Sequence, residues 1–220
     1  MSDGPAADRR RDDRLPGADR TALLGAAAVL GSLCLVVSAG GEALFPVPDS
    51  YQFDPALTSP QFVRERVLPL VTFAGAGGHL AGLLGARRRD REGAGLGWVA
   101  GWWLTATGLV AVGAATAAMA LLGPAGVSAA VLLELGLALG YLLALVLVGV
   151  GITVFGVAVF RRATSSLERV AGALFLLTPV ALAAWYVVDL GRLGWVTGLP
   201  YPLGWAALGV DLWRRPADAE

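Results

Sequence analysis

The chain has 220 residues, of which 56% are hydrophobic and 15% charged, with 30 glycines and a formal net charge of zero. Soluble domains carry about 25% charged residues, and here much of the charge sits in the first twenty positions, so an ordinary water-soluble globule is excluded. All 17 basic residues are arginine, which excludes Schiff-base chemistry and a phosphate-loop lysine.

A single cysteine (Cys34) and a single histidine (His79) cannot build a zinc site, an iron–sulfur cluster or a disulfide within one subunit. No cofactor and no metal is therefore expected, and the balanced charge points away from a nucleic-acid partner. The composition predicts an all-α polytopic membrane protein whose partner is the lipid bilayer.

Residues 1–20, rich in Asp, Arg, Gly and Pro, read as a disordered cytoplasmic tail. Beyond them, six stretches lack Asp, Glu and Arg: Thr21 to Gly41, Val67 to Ala86, Gly93 to Leu133, Leu135 to Phe160, Val170 to Val188, and Leu193 to Val210. A helix needs about 20 apolar residues to cross the hydrocarbon core. The third stretch is too long for one crossing and is broken at Gly123-Pro124-Ala125-Gly126. The expected spans are then about 21–41, 67–86, 94–122, 128–160, 170–189 and 194–213, forming one six-helix membrane domain over 21–213, with an external loop at 42–66 and a cytoplasmic tail at 214–220.

Val37-Ser38-Ala39 resembles a signal cleavage site, but the first apolar run exceeds the usual 7–15 residues of a signal peptide, so a retained helix is expected. Cys34 follows Leu33 rather than a small residue, unlike a lipoprotein site. Ser59-Pro60 reads as an N-cap followed by proline at the first helical position, which starts the second helix ahead of its span. Pro200 and Pro202 interrupt the sixth span and predict a kink there, or a helix beginning near Leu199.

Arginines set the orientation, because short cytoplasmic loops are enriched in them. The N-tail, the second loop (Arg87, Arg88, Arg89, Arg91), the fourth loop (Arg161, Arg162, Arg169) and the C-tail hold fourteen; only Arg64, Arg66 and Arg192 fall on the other side. Both termini are thus expected in the cytoplasm, consistent with an even number of spans. Trp98, Trp185, Trp195 and Trp213 fall where an aromatic belt would lie.

Glu65-Arg66-Val67 and Glu168-Arg169-Val170 open the second and fifth helices. Leu96-Gly97-Trp98-Val99-Ala100-Gly101 and Leu193-Gly194-Trp195-Val196-Thr197-Gly198 open the third and sixth. Two readings stand: chance matches in an Ala/Leu/Gly/Val-rich chain, or an inverted repeat of three-helix halves as in transporters.

Two ionisable residues fall inside spans and define the candidate polar site. His79 lies about two-thirds of the way towards the cytoplasm. Ala74, Gly78, Gly82 and Ala86 line a small-residue groove beside it. It reads either as a neutral imidazole bonded across a helix contact, or as a proton-handling, ligand or axial-metal group. Glu134 sits near the headgroups if its long helix projects from the bilayer; in a steeply tilted helix it would be a buried proton or cation site. Rise along the helices separates the two by roughly 12 Å, so no direct pair is expected.

Locally, Gly78-His79-Leu80-Ala81-Gly82-Leu83-Leu84-Gly85 resembles the catalytic-histidine helix of rhomboid intramembrane proteases. The chain has no Gly-x-Ser-Gly motif on an earlier helix and carries its histidine on the second span, so the likeness is one of small-residue packing and implies no activity. Asp189, Arg192, Glu42 and Asp211 read as interface residues. Gly78/Gly82, Gly97/Gly101 and Gly136/Gly140 have the spacing for close helix approach.

Hydrolysis and group transfer need a nucleophile–base pair or a metal, and no two candidate groups lie at matching depth. The expectation is a non-catalytic protein, either a small transporter or channel-like protein or an accessory subunit of a membrane complex, with other membrane subunits or a homo-oligomer as partners. The alternative is an intramembrane enzyme using His79.

Overall fold

The computed structural model describes residues 17–45, 55–90, 95–122, 129–187 and 191–215. Within these it is all helical, with no strand. The elements are α1 (Gly17–Leu44), α2 (Pro60–Phe62), a π-helical turn (Val63–Val67), α3 (Leu68–Arg89), α4 (Leu96–Leu122), α5 (Ala129–Arg162), α6 (Ser166–Val187), a 3₁₀ helix (Gly191–Gly198) and α7 (Pro200–Arg214). Five segments are long and apolar enough to cross a membrane: Arg20–Leu44, Pro60–Arg89, Leu96–Leu121, Leu135–Arg162 and Ser166–Ala184.

The helix starts follow local chemistry. The Ser59 hydroxyl accepts the Phe62 N–H at 3.1 Å with Pro60 at the first helical position, so the second long helix starts where that dipeptide predicts. Pro69 cannot donate to the turn before it. The chain widens into a π turn just ahead, where the Leu68 N–H reaches the Val63 carbonyl. α7 starts at Pro200, as the prolines predict, and its 15 residues span about 22 Å, short of the roughly 30 Å core. α1 begins at Gly17, earlier than the expected start at 21, and ends at Leu44, past the expected end at 41. The break expected at Gly123 to Gly126 lies outside the described residues; α4 ends at Leu122 and α5 starts at Ala129.

Successive long helices pack side by side and α7 returns to α1, closing a ring of six. Glycine carries the closest approaches. A Cβ on Gly78 would lie 2.6 Å from the Gly31 Cα and 2.5 Å from the Ala27 carbonyl oxygen, and one on Gly25 would lie 2.5 Å from the Gly209 carbonyl oxygen. The start of α1 therefore lies against the end of α7.

Of the three glycine pairs picked out by spacing, Gly78/Gly82 is packed at both positions. Gly101 packs on Phe155 whereas Gly97 faces open space, and Gly136/Gly140 meets nothing within 4 Å. Among the described residues that last pair joins no helices, because this stretch of α5 is exposed there, with Leu135, Leu139, Leu142 and Leu143 all more than half accessible.

Inside the ring the core is aromatic. Trp205, Phe155 and Phe175 are fully buried, with ring centroids 5.2–6.2 Å apart, among Ile152, Leu83, Leu208 and Leu212.

Two arginines that break the charge asymmetry have a local explanation. Arg64 donates to the Phe45 and Glu42 carbonyls at the end of α1, at 2.8 and 3.3 Å. Arg66 donates to the Ala120 carbonyl at the end of α4 at 2.5 Å. Each satisfies carbonyls that the helix end leaves without an intrahelical partner.

Candidate functional site

His79, on α3, is fully buried between α1 and α7. The Gly31–Gly78 contact brings α1 close enough for Ser32 Oγ to lie 3.2 Å from His79 Nε2. From α7, the Tyr201 hydroxyl lies 3.4 Å from Nδ1, and the Trp205 ring stacks on the imidazole at 5.1 Å and 19°. Ser32 Oγ donates its single proton to the Ala28 carbonyl at 2.8 Å. It therefore accepts from Nε2–H, which leaves Nδ1 to accept from the Tyr201 hydroxyl. The result is a closed neutral chain, Tyr201 to His79 to Ser32 to the Ala28 carbonyl, in which both ring nitrogens are satisfied.

This arrangement bears directly on the enzyme alternative. A serine does face His79 within hydrogen-bond reach, which sequence alone did not reveal. Its proton points away from the imidazole, however, and Ser32 and His79 are 4% and 0% exposed. Nucleophilic catalysis requires the hydroxyl to donate towards the base and a substrate to reach it. The pair links α1 to α3 through one hydrogen bond across their contact.

Glu134, the second candidate, lies on α5, but its side chain lies outside the described residues, as do those of Asp189 and Arg192.

A second polar assembly occupies the arginine-rich end, where α3, α6 and α7 meet. Arg89 pairs with Glu168 Oε1 through one guanidinium nitrogen and with Asp211 Oδ2 at 2.6 Å through the other. The side chains are 16%, 9% and 2% exposed respectively. Asp211, expected as an interface residue, is buried at this end rather than exposed as part of a surface pair: its other oxygen accepts from the Ser165 hydroxyl at 2.6 Å. That hydroxyl also accepts the Glu168 N–H at 3.0 Å, while Glu168 Oε2 accepts from the Ser165 N–H at 3.3 Å and from Thr164. This is a reciprocal capping box at the start of α6. A carboxylate at a helix N-terminus and a guanidinium at the last turn of α3 also match the helix dipoles.

Ser165-x-x-Glu168 ahead of an apolar run is the sequence signal that marks this corner. The partnership with Arg89 and Asp211, 79 and 46 residues from Glu168 and Ser165 in sequence, had no local signal. Among the described residues no cluster of three or more His, Cys, Asp or Glu could hold a metal ion.

Two cavities flank this end. One of about 270 Å³ is bordered by Arg89, Asp90, Trp98, Arg162, Thr164 and Glu168. The other, about 470 Å³, opens between the end of α3 and the start of α4. No family model, no curated protein and no solved structure matches this chain.

Proposed function

We propose that this chain is a non-catalytic, six-span protein of the cell membrane with both termini in the cytoplasm, acting as an accessory subunit of a membrane complex or as a homo-oligomer. The observation that carries this reading is the filled axis of the helix ring, where Trp205, Phe155, Phe175, Ile152 and His79 are all fully buried. A ring closed by aromatic packing suits a scaffold better than a conduit. The 3₁₀ helix and α7 together supply the sixth crossing, and the alternation of arginine-rich ends supports the topology.

The test is extraction of the tagged full-length chain in mild detergent followed by native mass spectrometry. A stoichiometric partner or a defined oligomer is expected; a lone monodisperse monomer would overturn the subunit reading.

A second reading, a small transporter, is favoured by the buried Arg89–Glu168–Asp211 cluster, which ties three helices at one end as a gate would. It predicts pH-dependent flux in liposomes that His79→Gln or Glu134→Gln abolishes with expression intact. Flux absent from the wild type, or unchanged in both variants, rejects these two residues as transport sites.

A further inference from the structure

The three consecutive arginines at the end of α3 have different fates. Arg89 turns inward and is consumed by Glu168 and Asp211. Arg87 and Arg88 remain exposed, and among the described residues neither forms an ion pair. Both line the cavity of about 470 Å³, whose opposite wall is Trp98, Val99, Trp102 and Trp103 from the first turns of α4.

That wall is rigid where it meets the charge. The Trp102 N–H donates to the Leu83 carbonyl at 2.9 Å, and Trp103 stands edge-on to it at 4.9 Å. The Arg87 guanidinium sits 4.5 Å above the Trp102 ring and 5.6 Å from that of Trp103. Stacking on the ring face holds the cation through its π system and leaves its N–H fork free to donate.

Trp98, only 4% exposed, separates this cleft from the smaller cavity and lines both. Its indole N–H is buried without a hydrogen-bond partner among the described residues. The core Trp205 N–H is in the same state, so this feature is not particular to the cleft.

The cleft therefore offers two exposed guanidinium groups that form no ion pair among the described residues, and an apolar flank that includes the half-exposed Trp103 and the exposed Leu84. One carboxylate, Asp90, also lines it, drawn towards the Arg89 Nε at 3.8 Å. Phosphate diesters match paired guanidinium forks. Tryptophans lie at headgroup depth, and basic pockets on the cytoplasmic side are where anionic lipid headgroups dock.

We infer that the cleft formed by Arg87, Arg88, Trp98, Trp102 and Trp103 binds the headgroup of an anionic phospholipid, its acyl chains running down past Leu84 and Trp103. The inference rests on the chain spanning a membrane, which detergent dependence tests separately. A product that stays dissolved without detergent sinks that reading; one that needs detergent but shows no lipid selectivity sinks only this site.

The experiment uses the full-length chain in a neutral detergent, with melting temperature and native mass spectra recorded on adding phosphatidylglycerol, phosphatidylcholine or inorganic phosphate. Phosphatidylglycerol is expected to raise the melting temperature and to stay bound as discrete adducts; phosphatidylcholine and phosphate should do neither. Arg87→Gln/Arg88→Gln should weaken the apparent lipid affinity roughly 30-fold, the weight of two interfacial basic residues, with Trp103→Leu weakening it in the same direction. Arg214→Gln/Arg215→Gln, an exposed pair outside the cleft, should leave it unchanged. An equal response to phosphatidylcholine, an equal loss in the Arg214/Arg215 variant, or a shift reproduced by inorganic phosphate alone would each overturn the assignment, the last by making the ligand a soluble anion.

Discussion

The two polar assemblies solve the same problem in opposite ways. Around His79, in the interior of the helix ring, every group is neutral, both imidazole nitrogens have a partner, and the ring faces Trp205 rather than a charge. Around Arg89, at the helix ends, one guanidinium holds two carboxylates that would otherwise be buried alone. Hydrogen bonds between neutral side chains in a membrane are individually worth about 0.6 kcal/mol. A buried ion left without its partner costs several times that. The interior site thus tolerates loss of any one member, whereas the end site does not.

The sharpest way to break that contrast is Arg89→Gln. Glu168 and Asp211 would then share a buried corner with no cation, and a loss of about 3–5 kcal/mol is expected, the range for orphaning a buried charge. The loss should be visible as a collapsed melting temperature or failed accumulation in the membrane. Combining Arg89→Met with Glu168→Gln and Asp211→Asn should recover most of it, since a neutral replacement of a whole buried cluster is often tolerated. A single variant as stable as wild type would show that the cluster is solvated and weak.

Next in size is Gly78→Ala. The added methyl has no room against Gly31 and Ala27, and forcing the α1–α3 contact apart should cost about 1–3 kcal/mol. Gly77→Ala, one residue away with nothing within 4 Å, should be silent in the same assay. Equal effects at the two positions would mean that helix propensity, not packing, sets the response.

These expectations also show what the sequence made legible. His79 stands out because one histidine inside an apolar run is conspicuous, and the Gly78/Gly82 groove beside it indicates close packing. Helix starts at Pro60 and Pro200 follow from local chemistry within a few residues. The ion cluster was not readable in this way. Its members lie at the ends of three helices, where Arg, Glu and Asp are expected anyway as solvated loop residues, and only the ring closure that sets α7 against α1 and α6 makes them neighbours. Gly136/Gly140 shows the converse: spacing records a capacity for close approach, and among the described residues no partner helix arrives there.

Smaller effects are expected around His79. Ser32→Ala and Tyr201→Phe should each cost about 0.6 kcal/mol, and no more than about 1.7 kcal/mol, measured as shifts in unfolding midpoint in mixed micelles. Because both bonds terminate on one imidazole, a double-mutant cycle between them should show coupling through His79 that vanishes in the His79→Leu background. Additive single effects with no such dependence would contradict the closed chain.

The smallest effect carries the clearest sign. Asp90 ends α3 beside the cluster, and burial pushes its carboxyl above the ordinary value of 3.8, with the neighbouring Arg89 guanidinium pulling the other way. A folded-state value above the unfolded one means that the native protein binds more protons between the two. This contribution to stability is therefore complete below pH 3.8 and is lost as pH rises through the folded value. At neutral pH the ionised carboxylate is a small burden, worsened by its place at a helix C-terminus, where the dipole disfavours negative charge. Asp90→Asn should accordingly raise the melting temperature slightly at pH 7 and flatten its dependence on pH in the acid range. The same substitution removes the one carboxylate lining the Arg87/Arg88 cleft, so it should also tighten phosphatidylglycerol binding. Melting curves of the two proteins that run parallel from pH 4 to pH 7 would show that Asp90 titrates as it does in the unfolded chain.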